Sequence, residues 1–193
     1  NGAGGSKIIL NGGRVYRASS WSVYTTGVFT VNGGVVENTI RVAGSGTIEL
    51  KGGTVTNVQV TSGNLNITNS GATVAGNLNI EKGAKGVNIS AGTIKGDVTI
   101  ATEAQDKVEV SGGSFKDGDA IKDYLPSGST LLEKPDGTYE IVAGLLKIGD
   151  TYYPTLDAAF KAAQNGATIE LINQEGAVIA MNGSLYGKSV TIT

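Results

Sequence analysis

The sequence predicts a mainly β chain: a right-handed parallel β-helix, or β-solenoid, of about six rungs of ~20 residues with a capping hairpin, then a small α+β module that begins a second β-helix. Three observations lead there. Thirty of 193 residues are glycine and only three are proline, with no Gly-X-Y period, so glycine serves corners rather than a collagen helix. A glycine-led motif returns about every 20 residues. Between its copies, apolar and polar residues alternate with the period of two that marks strands with one buried face.

The motif is Gly-Gly or Gly-Ala, a small or β-branched residue, an apolar residue, a variable one, then Asn, Gly or Asp. It reads Gly33-Gly34-Val35-Val36-Glu37-Asn38, Gly52-Gly53-Thr54-Val55-Thr56-Asn57, Gly71-Ala72-Thr73-Val74-Ala75-Gly76, Ala91-Gly92-Thr93-Ile94-Lys95-Gly96 and Gly112-Gly113-Ser114-Phe115-Lys116-Asp117, with a weaker copy at Gly12-Gly13-Arg14-Val15. The starts are 21, 19, 19, 20 and 21 residues apart. Each period also carries short alternating runs such as Val58-Gln59-Val60, Leu65-Asn66-Ile67, Leu78-Asn79-Ile80 and Val98-Thr99-Ile100. Three short strands cannot bury their own apolar face, so the repeats must stack in parallel. Stacking puts Val15, Val36, Val55, Val74, Ile94 and Phe115 in one interior ladder, with Thr54, Thr73, Thr93 and Ser114 outside beside it. At about 4.8 Å per gap the rod is roughly 24 Å long. Coils of irregular length without a strict hexapeptide favour the right-handed form.

The open end of such a rod is a sheet edge that needs a cover. Residues 117–143 supply one: a helical turn ending before Pro126, then two alternating runs around Lys134-Pro135-Asp136-Gly137, a hairpin signal. The first domain is therefore read as 1–143 and the second as 144–193. The second begins with strands at Leu145 to Ile148 and Tyr152-Tyr153. A helix follows from Thr155 to Ala163, with Leu156, Ala159, Phe160 and Ala163 on one face and Gly166 as its left-handed C-terminal cap. Ala167 to Ile172, Ala177 to Met181 and Ser189 to Thr193 read as strands opening another coil, so the polypeptide is expected to be a fragment of a longer protein.

The stretch Leu146 to Ala163, followed by Gly166-Ala167-Thr168-Ile169-Glu170-Leu171, resembles the amphipathic-helix lead-in of pectin-lyase-like right-handed β-helices. Ser111 to Phe115, Tyr124-Leu125-Pro126 and Pro135 to Tyr139 resemble a segment recurrent in large surface proteins of gut Gram-positive bacteria. The resemblance implies an extracellular, cell-surface location, covalent continuity with further surface-protein modules, and a superfamily that includes lyases, hydrolases, adhesins and stalks.

Composition excludes much chemistry. Without histidine or cysteine there is no Ser-His-Asp or Cys-His relay, no imidazole or thiolate metal site and no disulfide. A net charge of −2 supplies no basic footprint for nucleic acid, and no apolar run is long enough for a membrane span.

Candidate sites are few. Tyr16, Trp21 and Tyr24 cluster in the first, irregular coil, where aromatic rings either stack on a sugar or plug the broadened end of the rod. Asp117, Asp119 and Asp123 group as calcium ligands do, but lack the spacing of a twelve-residue calcium loop, so no metal and no cofactor is assigned. The arginines Arg14, Arg17 and Arg41 lie about four rungs from those acids, too far to share a lyase cleft. The Gly-Gly corners carry no Gly-Lys-Ser/Thr phosphate loop. Beside the threonine column only Thr56 supplies a second threonine; the other rungs carry Ala75, Lys95 and Lys116 at that place, and the charged column spoils a flat ice-binding face. The expectation is a non-catalytic extracellular segment, a stalk or an adhesin-like surface for glycans or host proteins. The alternative is a polysaccharide lyase or hydrolase whose residues are completed downstream.

Overall fold

A computed structural model describes residues 5–18, 20–127, 129–144, 146–153, 155–171 and 189–193. It is a stacked parallel β-solenoid with few helices. Each coil turns through three faces. The first face stacks Lys7–Leu10, Val28–Val31 and Thr47–Leu50 on residues 64–67, 87–89 and 108–110. On the second, Val15, Val36, Val55, Val74, Ile94 and Phe115 pair in unbroken register, as the motif spacing predicts. The third face stacks Trp21–Thr25 on residues 39–42, 57–60, 78–80 and 98–100. One strand, Gly53–Ile67, runs through all three faces.

Period two does the sorting. Val36, Val55, Val74, Ile94 and Phe115 are fully buried, while Thr54, Thr73, Thr93 and Ser114 pair with one another on the outside and stay partly exposed. On the other faces Ile48, Leu50, Leu65 and Ile67, and Ile40, Val42, Val58, Val60 and Leu78, fill the same interior. Each such side chain contributes about 1.5–3 kcal/mol by leaving water, which no coil collects until its neighbours are in place.

The glycine corners have a steric cause. Gly34 and Gly53 sit at φ +84° and +72°, and a Cβ on either would stand 2.5 Å from the carbonyl oxygen of Gly13 or Gly34, one coil back. At these two corners the coils stack so closely that only glycine fits. In coil four Ala72 takes the place of Gly53, and in the turn before it the Asn69 side-chain oxygen accepts the Gly71 N–H at 2.8 Å.

Two features depart from the sequence reading. A 3-10 helix at Thr102–Lys107, for which the sequence pattern carries no signal, bulges from coil five and turns its own Ala104 inward, fully buried. Gly166 does adopt a positive φ of +84°, but the helix ends at Ala162 and Gly166 lies in a later turn, where the Ala167 N–H reaches the Gln164 carbonyl at 3.1 Å. Its left-handed backbone serves that turn, not the helix end.

The helical turn and the hairpin strands expected after Phe115 are present. A 3-10 turn at Lys122–Tyr124 precedes Pro126, and Ile121 beside it is fully buried. The Lys134 N–H donates to the Thr138 carbonyl at 2.7 Å around Pro135-Asp136-Gly137, and the strand Tyr139–Ala143 then pairs antiparallel to Ser114–Phe115. The chain divides into two compact units, residues 1–126 with 133–140, and 127–132 with 141–193.

In the second unit, Leu146–Ile148 pairs antiparallel with both Thr151–Tyr153 and Thr168–Leu171. Thr168–Leu171 pairs parallel with Thr191–Ile192, a parallel return of the kind a new coil requires. The helix Leu156–Ala162 is capped by Thr155, whose hydroxyl oxygen accepts the Ala158 N–H at 3.2 Å. Leu156, Ala159, Phe160 and Ala163 pack on Leu146 and Ile169, the face that the helical spacing predicts. The expected strand at Ala177 to Met181 lies outside the described residues. Among the described residues, no helix is long and apolar enough to cross a membrane.

Candidate functional site

The third face carries the candidate site on its outer side. Because Val23, Ile40, Val58, Leu78 and Val98 point inward, their neighbours Tyr24, Arg41, Gln59, Asn79 and Thr99 form an outward column, paired coil to coil. Trp21 pairs with Thr39, and a register shift between Trp21 and Val23 brings the indole over the same column.

Three side chains then lock together. The Trp21 and Tyr24 rings lie 5.9 Å apart at 39°, and the Arg41 guanidinium sits 4.3 Å from the Trp21 centroid and 5.8 Å from that of Tyr24. Both distances are within cation–π range. Arg41 Nε–H donates to the Thr61 hydroxyl at 2.8 Å, which fixes the plane of the guanidinium. Trp21 Nε1–H donates to Gln59 Oε1 at 3.1 Å, and Gln59 Nε2 donates to Glu81. Indole can only donate and a carboxylate can only accept, so this chain orients the glutamine amide without ambiguity. Beyond Glu81 the column opens on a shallow concavity of about 470 Å³ lined by Asn79, Glu81, Lys82, Thr99 and Glu103.

Of the three aromatic residues that the sequence singles out, Trp21 and Tyr24 come together and Tyr16 does not join them. Tyr16 is 60% exposed and has the Arg14 guanidinium 5.0 Å from its ring. Arg14 in turn pairs with Glu37, whose hydrogen bond holds the Glu37 carboxyl below its usual range and raises Arg14. Trp21 and Tyr24 lie on the outer surface, so they do not plug the rod. The sequence singles out Arg41 only as a lyase candidate that lies too far from the acids, and it singles out Gln59, Thr61 and Glu81 for no role. Their signal was present: Tyr24, Arg41, Gln59 and Asn79 occupy the same place in successive alternating runs.

The acidic group at the cap has a structural role. Asp117 Oδ1 accepts the N–H groups of Asp119 and Ala120 at 3.0 and 3.4 Å, closing the turn, and Asp119 pairs with Lys122 at 3.0 Å. Asp123 lines a separate surface concavity with Asp106, Glu109 and Tyr124.

No protein-family model, curated protein or solved structure matches this chain.

Proposed function

We propose that this chain is a non-catalytic segment of an extracellular bacterial surface protein, a β-solenoid stalk whose third face binds an extended glycan. The observation that carries the reading is the Trp21–Tyr24–Arg41–Gln59 arrangement. Aromatic rings offer flat apolar area to the C–H face of a pyranose, and amide, carboxylate and hydroxyl groups on neighbouring coils, about 4.8 Å apart, meet its hydroxyls. The stalk role is supported by construction: each coil is hydrogen-bonded to the next along three faces, and length grows by one rung per repeat. The resemblance to pectin-lyase-like segments of gut Gram-positive surface proteins points the same way.

The test is a binding screen of the purified chain against immobilised oligosaccharides, with Trp21→Ala beside the parent. Binding that falls by tenfold or more in the variant, without a change in melting temperature, supports the reading. Release of unsaturated products or new reducing ends from polygalacturonate by the chain itself overturns the non-catalytic assignment.

A further inference from the structure

The arginine at the centre of this site separates it from a plain sugar-stacking patch. A guanidinium has five N–H donors. Among the described residues, only the Nε of Arg41 has a protein acceptor, Thr61 at 2.8 Å, and no carboxylate lies within ion-pair distance. Arg14 shows the contrast, since its charge is already paired with Glu37. Arg41 is also only partly exposed and is held by two ring contacts, so its orientation is set before any ligand arrives. It is the one cation in the outward column Tyr24, Arg41, Gln59, Asn79, Thr99. The nearest acid along the hydrogen-bond chain, Glu81, already accepts a bond from Gln59.

A fixed fork with its Nη donors unspent, standing against aromatic faces, is the arrangement that recognises a planar carboxylate or a tetrahedral sulfate attached to a ring. We infer that the third-face site selects an anionic saccharide, one that presents a carboxylate or sulfate ester to Arg41 while its ring lies against Trp21 and Tyr24. The inference rests on the glycan-binding reading and adds the charge of the ligand. Gln59 and Glu81 serve the uncharged hydroxyls further along, and Arg41 is the residue that determines specificity.

Trp21 is the single tryptophan of the chain, so its fluorescence reports on this site alone. The experiment titrates the intact chain with three probes: a glucuronate oligosaccharide, the same oligosaccharide with its carboxylates methyl-esterified, and a sulfated neutral oligosaccharide. At low salt the acid should bind about tenfold or more tighter than its ester, as expected for hydrogen bonds to a charged group. The difference should shrink as ionic strength rises. Arg41→Gln should abolish the preference while keeping residual ester binding, and Arg41→Lys should restore only part of it, because an ammonium has no fork. Tighter binding of the sulfated probe assigns the anion as a sulfate ester, and the reverse order assigns a carboxylate. Equal binding of acid and ester by the parent, a comparison that needs no variant, overturns the inference and leaves glycan binding standing. No tryptophan response to any of the three overturns both.

Discussion

The side-chain oxygen of Asn57 accepts the backbone N–H of Asn77, one coil further on, at 2.8 Å. Asn77 repeats the act for Asp97 at 3.1 Å, and the Asp97 carboxylate takes Lys116 at 3.1 Å. These residues stand at the corner between the second and third faces, where the chain leaves one strand ladder before joining the next. A peptide N–H at such a corner has no ladder partner, and the asparagine side chain supplies one.

Asn77→Ala should therefore cost about 1 kcal/mol, since it strips the acceptor from Asp97 N–H while the corner stays solvated. Asn77→Asp, which keeps an acceptor oxygen, should cost less. Denaturant midpoints of the two variants check the order.

Val74 lies fully buried between Val55 and Ile94 on the second face. Val74→Asp puts an unpaired carboxylate into that ladder and should lower stability by several kcal/mol, on the order of the penalty for a buried unpaired charge. Thr73→Asp, one residue away on the outer side, should shift the melting temperature far less. Similar melting of the two variants would contradict the register.

Gly53→Ala and Gly137→Ala separate sterics from backbone preference. Both glycines have positive φ, +72° and +78°, so each alanine meets the left-handed penalty of roughly 1 kcal/mol. At Gly53 the new methyl also meets the Gly34 oxygen at 2.5 Å, whereas nothing lies within 4 Å at Gly137. Thermal unfolding should show the larger loss at Gly53.

Glu49, on the outer side of the first face, accepts from Lys51 at 3.0 Å and from Thr30 at 2.9 Å. These bonds, Lys51 first and Thr30 second, hold its carboxyl below the usual glutamate range. A carboxylate with a lowered folded pKa adds stability that is fully present above its unfolded value of about 4.3 and is lost as pH falls through the folded one. Melting temperature should thus decline below about pH 4.3. Glu49→Gln should flatten part of that decline while leaving the neutral-pH plateau slightly lower.

The second-face ladder was legible because two signals coincide in it. Glycine pairs mark the corners, and the residue two or three places on is always apolar. The helix at Leu156–Ala162 was legible by its 3.6-residue spacing. The 3-10 bulge at Thr102–Lys107 was not, because it carries no glycine and no apolar period, and its buried Ala104 is explained only by the coil beneath. The site was half legible. Trp21 and Tyr24 are conspicuous in one strand, but Arg41, Gln59 and Thr61 belong to later coils and join them through parallel pairing, which shows in the sequence only when successive alternating runs are laid in register. Tyr16 looked equivalent to its neighbours in sequence, yet it falls beyond Val15 on the second face and faces Arg14.

Every pairing along the second face runs parallel until Phe115 meets Tyr139, where the direction reverses. A parallel stack invites copying, because its last open strand is a template for the same strand from another molecule. A strand of opposite polarity withdraws that template: Tyr139 already occupies the edge of Phe115 that the next repeat would take, and it belongs to no repeat. The hairpin is thus a stop codon written in backbone direction, and it keeps a fold built by self-similar addition from continuing into a fibre at this face.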